Sequence, residues 1–405
     1  MAAFWSIDLL GAVATSPVSD GDRVFIALKS AHLTARAVSD GHELWRITKD
    51  VSVPMAAAGG LLFVSAGEAI EAIRSSDGAS AWVVPRVKTA APLVTAGAWL
   101  IATTDTEVLA ISTSDGRVAW RHLAGGVRLA PAIDAGRVYT GAEDGRMLAL
   151  TLATGAMVWE QYLPGGVNSL AASAGRVYAG GGDKQFYCLD GSSGKVRWPR
   201  RVGSIPGGQI AIDDERVYFT ALDNVVYALD RSNGNQRWTS AVRRRPLSGV
   251  ALFGHIVFVP VVAPDLVMLY DADGRASGTI ALPGEIPRDI PPHIRETPAG
   301  VEVFAVTGGL SNEWQLTFIA PAGEAAIVPF STLETMPGLP FLTDPELQSI
   351  GRVLGALILS DPPLWPAAAT DWPLVLRDPP LEPLTSLPGL QMRPLSPLLP
   401  IRRGA

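Results

Sequence analysis

RVYAGGGDKQFYCLDGSSGKVRW, residues 176–198, holds most of a folding unit, and RVYTGAEDGRMLALTLATGAMVW, residues 137–159, repeats its plan. An apolar stretch around a tyrosine is followed by an alternating run ending in FYCLD or MLALT. A turn glycine comes next, and a tryptophan follows four residues after it. Period-2 alternation is the mark of a half-buried strand. The Ser-Gly and Thr-Gly dipeptides supply the positive φ of a tight hairpin, so the flanking segments are read as antiparallel strands.

The same plan recurs along the chain. Trp5, Trp45, Trp82, Trp120, Trp159, Trp198 and Trp238 are 40, 37, 38, 39, 39 and 40 residues apart. The last six follow Gly41, Gly78, Gly116, Gly155, Gly194 and Gly234 by four residues. Phe25, Phe63, Ile101, Tyr139, Tyr178 and Tyr218 mark an earlier strand in each unit, and segments such as APLVTAG and APAIDAG leave room for one more. Four antiparallel strands at a period near 39 residues predict an all-β fold, a β-propeller whose blades bury their faces on one another.

Beyond Trp238 the pattern decays. A seventh unit, HIVFVPV and LVMLYDADG, has Gly278 where tryptophan is expected, and an eighth is read in GVEVFAV, WQLTFIAPAG and EAAIVPF. Eight blades are expected, with seven as the alternative count. FWSIDL around Trp5 resembles an outermost strand arriving one unit early, which suits ring closure by the N-terminal segment. EAAIVPF competes for that place.

The domain reading is a propeller over residues 1–330 and a Pro/Leu-rich tail over 331–405. The tail holds 14 of the 32 prolines and 17 leucines in 75 residues, so extended chain is expected there, with one helix-competent stretch at Pro345–Ser360. An arm that packs on the propeller or on a partner protein is the expectation.

Composition narrows function. A net charge of −6 and a pI near 5.5 argue against nucleic-acid binding. No apolar stretch is long enough to span a bilayer, and MAAFWSIDLL has no charged leader, so the chain reads as soluble, without a visible export signal. A single cysteine, Cys188, excludes an internal disulfide; it occupies the place of Ala149 and Ala228 and is read as a small packing residue. His32, His42, His122, His255 and His293 show no ligand spacing and are read as surface residues. Asp40, Asp77 and Asp115 fall in repeat turns that local hydrogen bonding explains, and Asp213, Asp214 and Glu215 are read as a solvated loop.

The recurrent G-R-V-Y, A-L-D, glycine and tryptophan pattern resembles the PQQ-like (pyrroloquinoline-quinone-type) propeller repeat over roughly residues 4–330. The resemblance implies one of two functions. One is that of the propeller subunit of the outer-membrane β-barrel assembly machinery, a non-enzymatic periplasmic scaffold. The other is that of quinoprotein dehydrogenases, which would bring PQQ with calcium. The dehydrogenases that oxidise alcohols carry adjacent cysteines, which this chain lacks, and no catalytic residue stands out. The favoured reading is a protein-interaction scaffold of the bacterial cell envelope with no cofactor, whose partner is another protein. Candidate residues at the axial mouth, where blade loops converge, are Arg128, Asn168, Gln209, Arg243, Arg244 and Arg245, polar where the repeat is otherwise small and apolar. An arginine cluster there suits carboxylate recognition.

Overall fold

The computed structural model describes residues 4–127, 129–261, 265–282, 287, 290–297, 300–308 and 313–319. They fall in the first of two compact units, Met1–Ser360; the second, Asp361–Ala405, lies outside the described residues, as do Arg128, the stretch 324–330 (EAAIVPF) and the helix-competent segment Pro345–Ser360.

Every strand belongs to one of eight four-stranded antiparallel sheets, the blades of an eight-bladed β-propeller. Blades 1 to 7 are consecutive, spanning 18–48, 56–85, 94–123, 132–162, 167–201, 206–241 and 251–281. Blade 5 shows the plan: Val167–Ser173 is innermost, then Arg176–Gly181 and Gln185–Asp190, with Val196–Arg201 outermost. Blade 8 takes His293–Thr297, Gly300–Gly308 and Trp314–Ile319, and its outermost strand is Phe4–Leu9 from the chain's other end. Ring closure by the N-terminal segment is therefore realised, with Trp5 opposite Phe318 and the Ser6 and Thr317 hydroxyls 3.1 Å apart.

The second and third strands are not half-buried. In blade 5, Val177–Gly181 and Phe186–Leu189 are buried without alternation, because a blade inside a ring has neighbours on both faces. Alternation survives on the outermost strands. Each core cluster accordingly draws on two adjacent blades; Tyr178, Phe186 and Cys188 of blade 5 pack with Val217, Phe219 and Leu229 of blade 6.

The repeated tryptophans join one blade to the next. Trp120 of blade 3 donates its indole N–H to the Leu152 carbonyl of blade 4 at 2.8 Å, three residues before the turn glycine Gly155. A Cβ on Gly155 would lie 2.5 Å from the Trp120 ring, and its φ of +69° is one that only glycine adopts at little cost. Trp5, Trp45, Trp82, Trp159 and Trp238 make the same bond to Val38, Ser75, Thr113, Gly191 and Asp271. Trp198 alone of the seven has no acceptor among the described residues. The Arg231 carbonyl, the counterpart position, receives Arg176 Nη1 instead.

Opposite each of six tryptophans in the same blade sits a small residue: Ala35, Ala72, Ala110, Ala149, Cys188 or Ala228. Blade 7 exchanges the sizes, Met268 facing Gly278. The loss of tryptophan in that unit is thus matched across the sheet, which conserves packed volume.

Cys188 is fully buried between Tyr178 and Trp198, and burial pushes its thiol up to about 11. A thiol reagent should leave the folded protein untouched at pH 8 and titrate one thiol after denaturation. Reaction at full rate in the folded state would contradict this packing role. Cys188→Ala should change stability by less than about 1.5 kcal/mol, whereas Cys188→Leu should cost about 1–3 kcal/mol by overpacking.

Candidate functional site

Strands alternate in direction, so the blade-to-blade connections share one face of the ring with the turns between second and third strands. We call this the connection face. The glycine turns occupy the other. Backbone bonds tie the two kinds of loop together on the connection face: Val202 N–H to the Lys184 carbonyl at 3.0 Å, and Val242 N–H to that of Asn224 at 2.9 Å.

Among the candidate residues described, Asn168 and Gln209 lie inside the innermost strands of blades 5 and 6 rather than in the loops. Blades 5 and 6 have seven-residue inner strands, and register shifts at Val167/Ser169 and Gly207/Ala211 expose both side chains. The Gln209 backbone crosses to blade 7, donating to Ser248 O at 2.6 Å and accepting from Val250 N at 3.1 Å. Gly249 allows this approach, since its Cβ would sit 2.1 Å from Gln209 N. Arg243, Arg244 and Arg245 lie in the loop from blade 6 to blade 7, all exposed, and none bonds to a described residue. The structure therefore separates the candidates into an axial group and a loop group.

Gln209, but not Asn168, borders a cavity of about 390 Å³ between the inner strands of blades 6, 7 and 8. Its side-chain polar groups are Gln209, Ser248 and His293; Ile212, Leu252, Phe253 and Ile294 supply apolar walls. His293 was expected on the surface, yet it is partly buried, stacked on Phe304 at 6.0 Å, with Nε2 3.1 Å from Ser19 Oγ of blade 1. Burial, aided by the nearby Arg295 charge, pushes its pKa down to about 4. Among the described residues, no charged side chain lines this cavity at neutral pH. A quinone bearing carboxylates would meet no lysine or arginine there, and no three His, Cys, Asp or Glu residues converge as a metal cage among the described residues. The described residues that line this cavity do not supply the charged donors that PQQ with calcium needs.

On the opposite face, turn chemistry accounts for the acids. Asp77 accepts the Ala79 N–H at 3.0 Å, and Asp115 and Asp40 accept those of Arg117 and His42; all three carboxyls are held below their ordinary range, Asp77 chiefly by Arg74. Asp213 is not simply solvated: it accepts the Tyr218 hydroxyl at 2.6 Å and the backbone N–H groups of Glu215 and Arg216. Beside it, buried Arg231 donates to the Tyr178 hydroxyl, the Asp213 carbonyl and the Ser173 carbonyl, linking blades 5 and 6. With every arm of Arg231 engaged, this cluster is a structural latch.

The repeat model for outer membrane protein assembly factor BamB matches residues 2–102, 88–166 and 152–286. The chain belongs to this PQQ-repeat, BamB family. BamB from Moraxella catarrhalis superposes with a TM-score of 0.64 at 17% identity, covering 78% of this chain and 99% of that one. A computationally designed protein, Ika8, gives 0.63 at 14% identity, covering 77% and 98%. The quinohemoprotein alcohol dehydrogenase of Pseudomonas putida gives 0.63 at 11% identity, covering 81% and 78%. No curated protein matches the chain by sequence. At these identities the solved structures establish the propeller fold, which BamB and the quinohemoprotein alcohol dehydrogenase share.

Proposed function

We propose that the protein is a non-enzymatic scaffold that docks other proteins on its connection face, serving cell-envelope or outer-membrane protein assembly. The observation that carries this reading is the placement of large apolar side chains. Leu10, Leu123, Tyr162 and Leu222 are 72%, 82%, 59% and 55% exposed, and all four lie at strand ends or loops of that face, whereas among the described residues Met157, 55% exposed, is the one comparable side chain at a glycine-turn end. Such side chains, spread around one face, suit protein contact. Membership of the BamB family supports the same assignment and an envelope location. No helix among the described residues is long and apolar enough to cross a membrane.

A quinone-dependent oxidoreductase is the competing reading from the fold, and the uncharged lining of the axial cavity weighs against it. The Pro/Leu-rich tail is proposed as an arm that helps hold the partner.

Affinity capture with the full chain and with a chain ending at Phe330, paired with a cofactor spectrum, tests this. A stoichiometric protein partner, diminished by the truncation, is expected. A bound quinone chromophore and dye-linked alcohol oxidation without a partner would replace the scaffold with an enzyme.

A further inference from the structure

The loop group of arginines belongs to a larger arrangement on the connection face of blades 5 and 6. Lys184, Arg201, Arg243, Arg244 and Arg245 are exposed, and none bonds to a described residue through its side chain. Hydrogen bonds fix them around Leu222. Val202, next to Arg201, donates to the Lys184 carbonyl at 3.0 Å; Leu222 N–H donates to Ile205 O at 3.1 Å; Val242, next to Arg243, donates to Asn224 O at 2.9 Å. Gly203 N–H reaches the Tyr227 hydroxyl at 3.0 Å, closing the link between the two blades.

Several other exposed arginines are neutralised locally, as in Arg74 with Asp77, Arg121 with Glu107 and Arg275 with Asp273, although exposed Arg86 has no ion pair among the described residues. Among the described residues, the turns that hold Lys184 and Leu222 carry the carboxylates Asp183 and Asp223, and both are committed. Asp183 accepts the Tyr187 hydroxyl and the Gln185 amide, and Asp223 accepts the Tyr227 hydroxyl at 2.7 Å and the Val225 N–H. Five cations therefore face solvent around a 55% exposed leucine, on a chain whose net charge is −6.

We propose that this patch receives an extended acidic segment of a partner protein, with carboxylates on Arg201 and Arg243–Arg245 and an apolar side chain on Leu222. Arginine forks suit carboxylates, and a mixed charged and apolar surface suits a peptide better than a bare polyanion. The overall negative charge disfavours extended polyanions such as DNA or an anionic bilayer, whose long-range field acts on the whole molecule. The inference rests on the scaffold reading and names the chemistry of what is docked.

The test is fluorescence anisotropy of the full chain with a labelled twelve-residue peptide alternating Asp and Leu, alongside a lysine-for-aspartate version, double-stranded DNA and vesicles containing phosphatidylglycerol. Saturable, salt-sensitive binding of the acidic peptide alone is expected. Reversing Arg243, Arg244 and Arg245 to Glu should weaken it on the order of tenfold. Leu222→Ser should weaken it severalfold, and Arg117→Glu on the opposite face should leave it unchanged. No binding, equal binding of DNA or vesicles, or indifference to both patch variants would overturn the proposal. If the triple reversal still captures the cellular partner at full strength, the acidic-segment inference fails while the scaffold stands. If peptide binds as described but the wild-type chain captures no partner, the scaffold fails instead.

Discussion

Trp120→Ala is expected to cost about 3–5 kcal/mol, measured by equilibrium urea unfolding, because it removes a buried indole from the joint between blades 3 and 4. The loss includes the N–H bond to Leu152 O and the ring's contact with Gly155. Gly155→Ala should be costly for two separable reasons. Its φ of +69° disfavours any L side chain, and the new methyl would meet the Trp120 ring at 2.5 Å. Gly136→Ala isolates the first term: φ there is +72° and nothing lies within 4 Å of the added Cβ, so about 1 kcal/mol is expected. Gly155→Ala should exceed that by about 1–3 kcal/mol of overpacking. Combining Gly155→Ala with Trp120→Ala should recover most of the excess, giving a double variant less unstable than the sum. Strict additivity would mean that indole and glycine do not press on each other, and the account of the repeat would be wrong.

That pairing shows what the sequence could and could not convey. The glycine and tryptophan four residues apart were legible as a turn and an outermost strand, yet they are not each other's partners. Gly155 serves Trp120 of the preceding blade, while Trp159 reaches on to Gly191 and Gly194. Only a closed ring, with Trp5 bearing on Gly41, makes that offset visible. Cys188 was readable as a packing residue because Ala149 and Ala228 share its register. The site was less legible. Arg243–Arg245 announced themselves as a run, but Arg201 and Lys184 joined them only through the stacking of loops on one face. Gln209 was singled out for being polar; its cross-blade backbone bonds had no signal beyond the neighbouring glycines. His293 was missed because nothing in PPHIRE distinguishes a surface histidine from one seated on Phe304 at the ring's inner seam.

His293 also sets an acid sensitivity. An unfolded histidine has a pKa near 6.5, whereas the folded one is pushed down to about 4 by burial and by Arg295. Below pH 6.5 the unfolded chain takes up a proton that the folded chain refuses, so stability falls as pH drops from about 6.5 to 4 and is fully present above that window. The group's contribution to the loss by pH 4.5 should be about 2 kcal/mol. Aspartates held low by turn contacts, such as Asp77 and Asp115, lose stabilisation in acid as well, but they do so in any variant. Comparing wild type with His293→Gln therefore isolates the imidazole, and glutamine keeps an uncharged partner for Ser19 Oγ, which lies 3.1 Å from Nε2. At pH 7.5 the variant should be equal or less stable. At pH 4.5 its stability relative to wild type should have risen by about 2 kcal/mol. A relative stability that stays flat across the window would mean that His293 titrates alike in both states, and that the inner seam of blades 8 and 1 is wetter than its stacking on Phe304 implies.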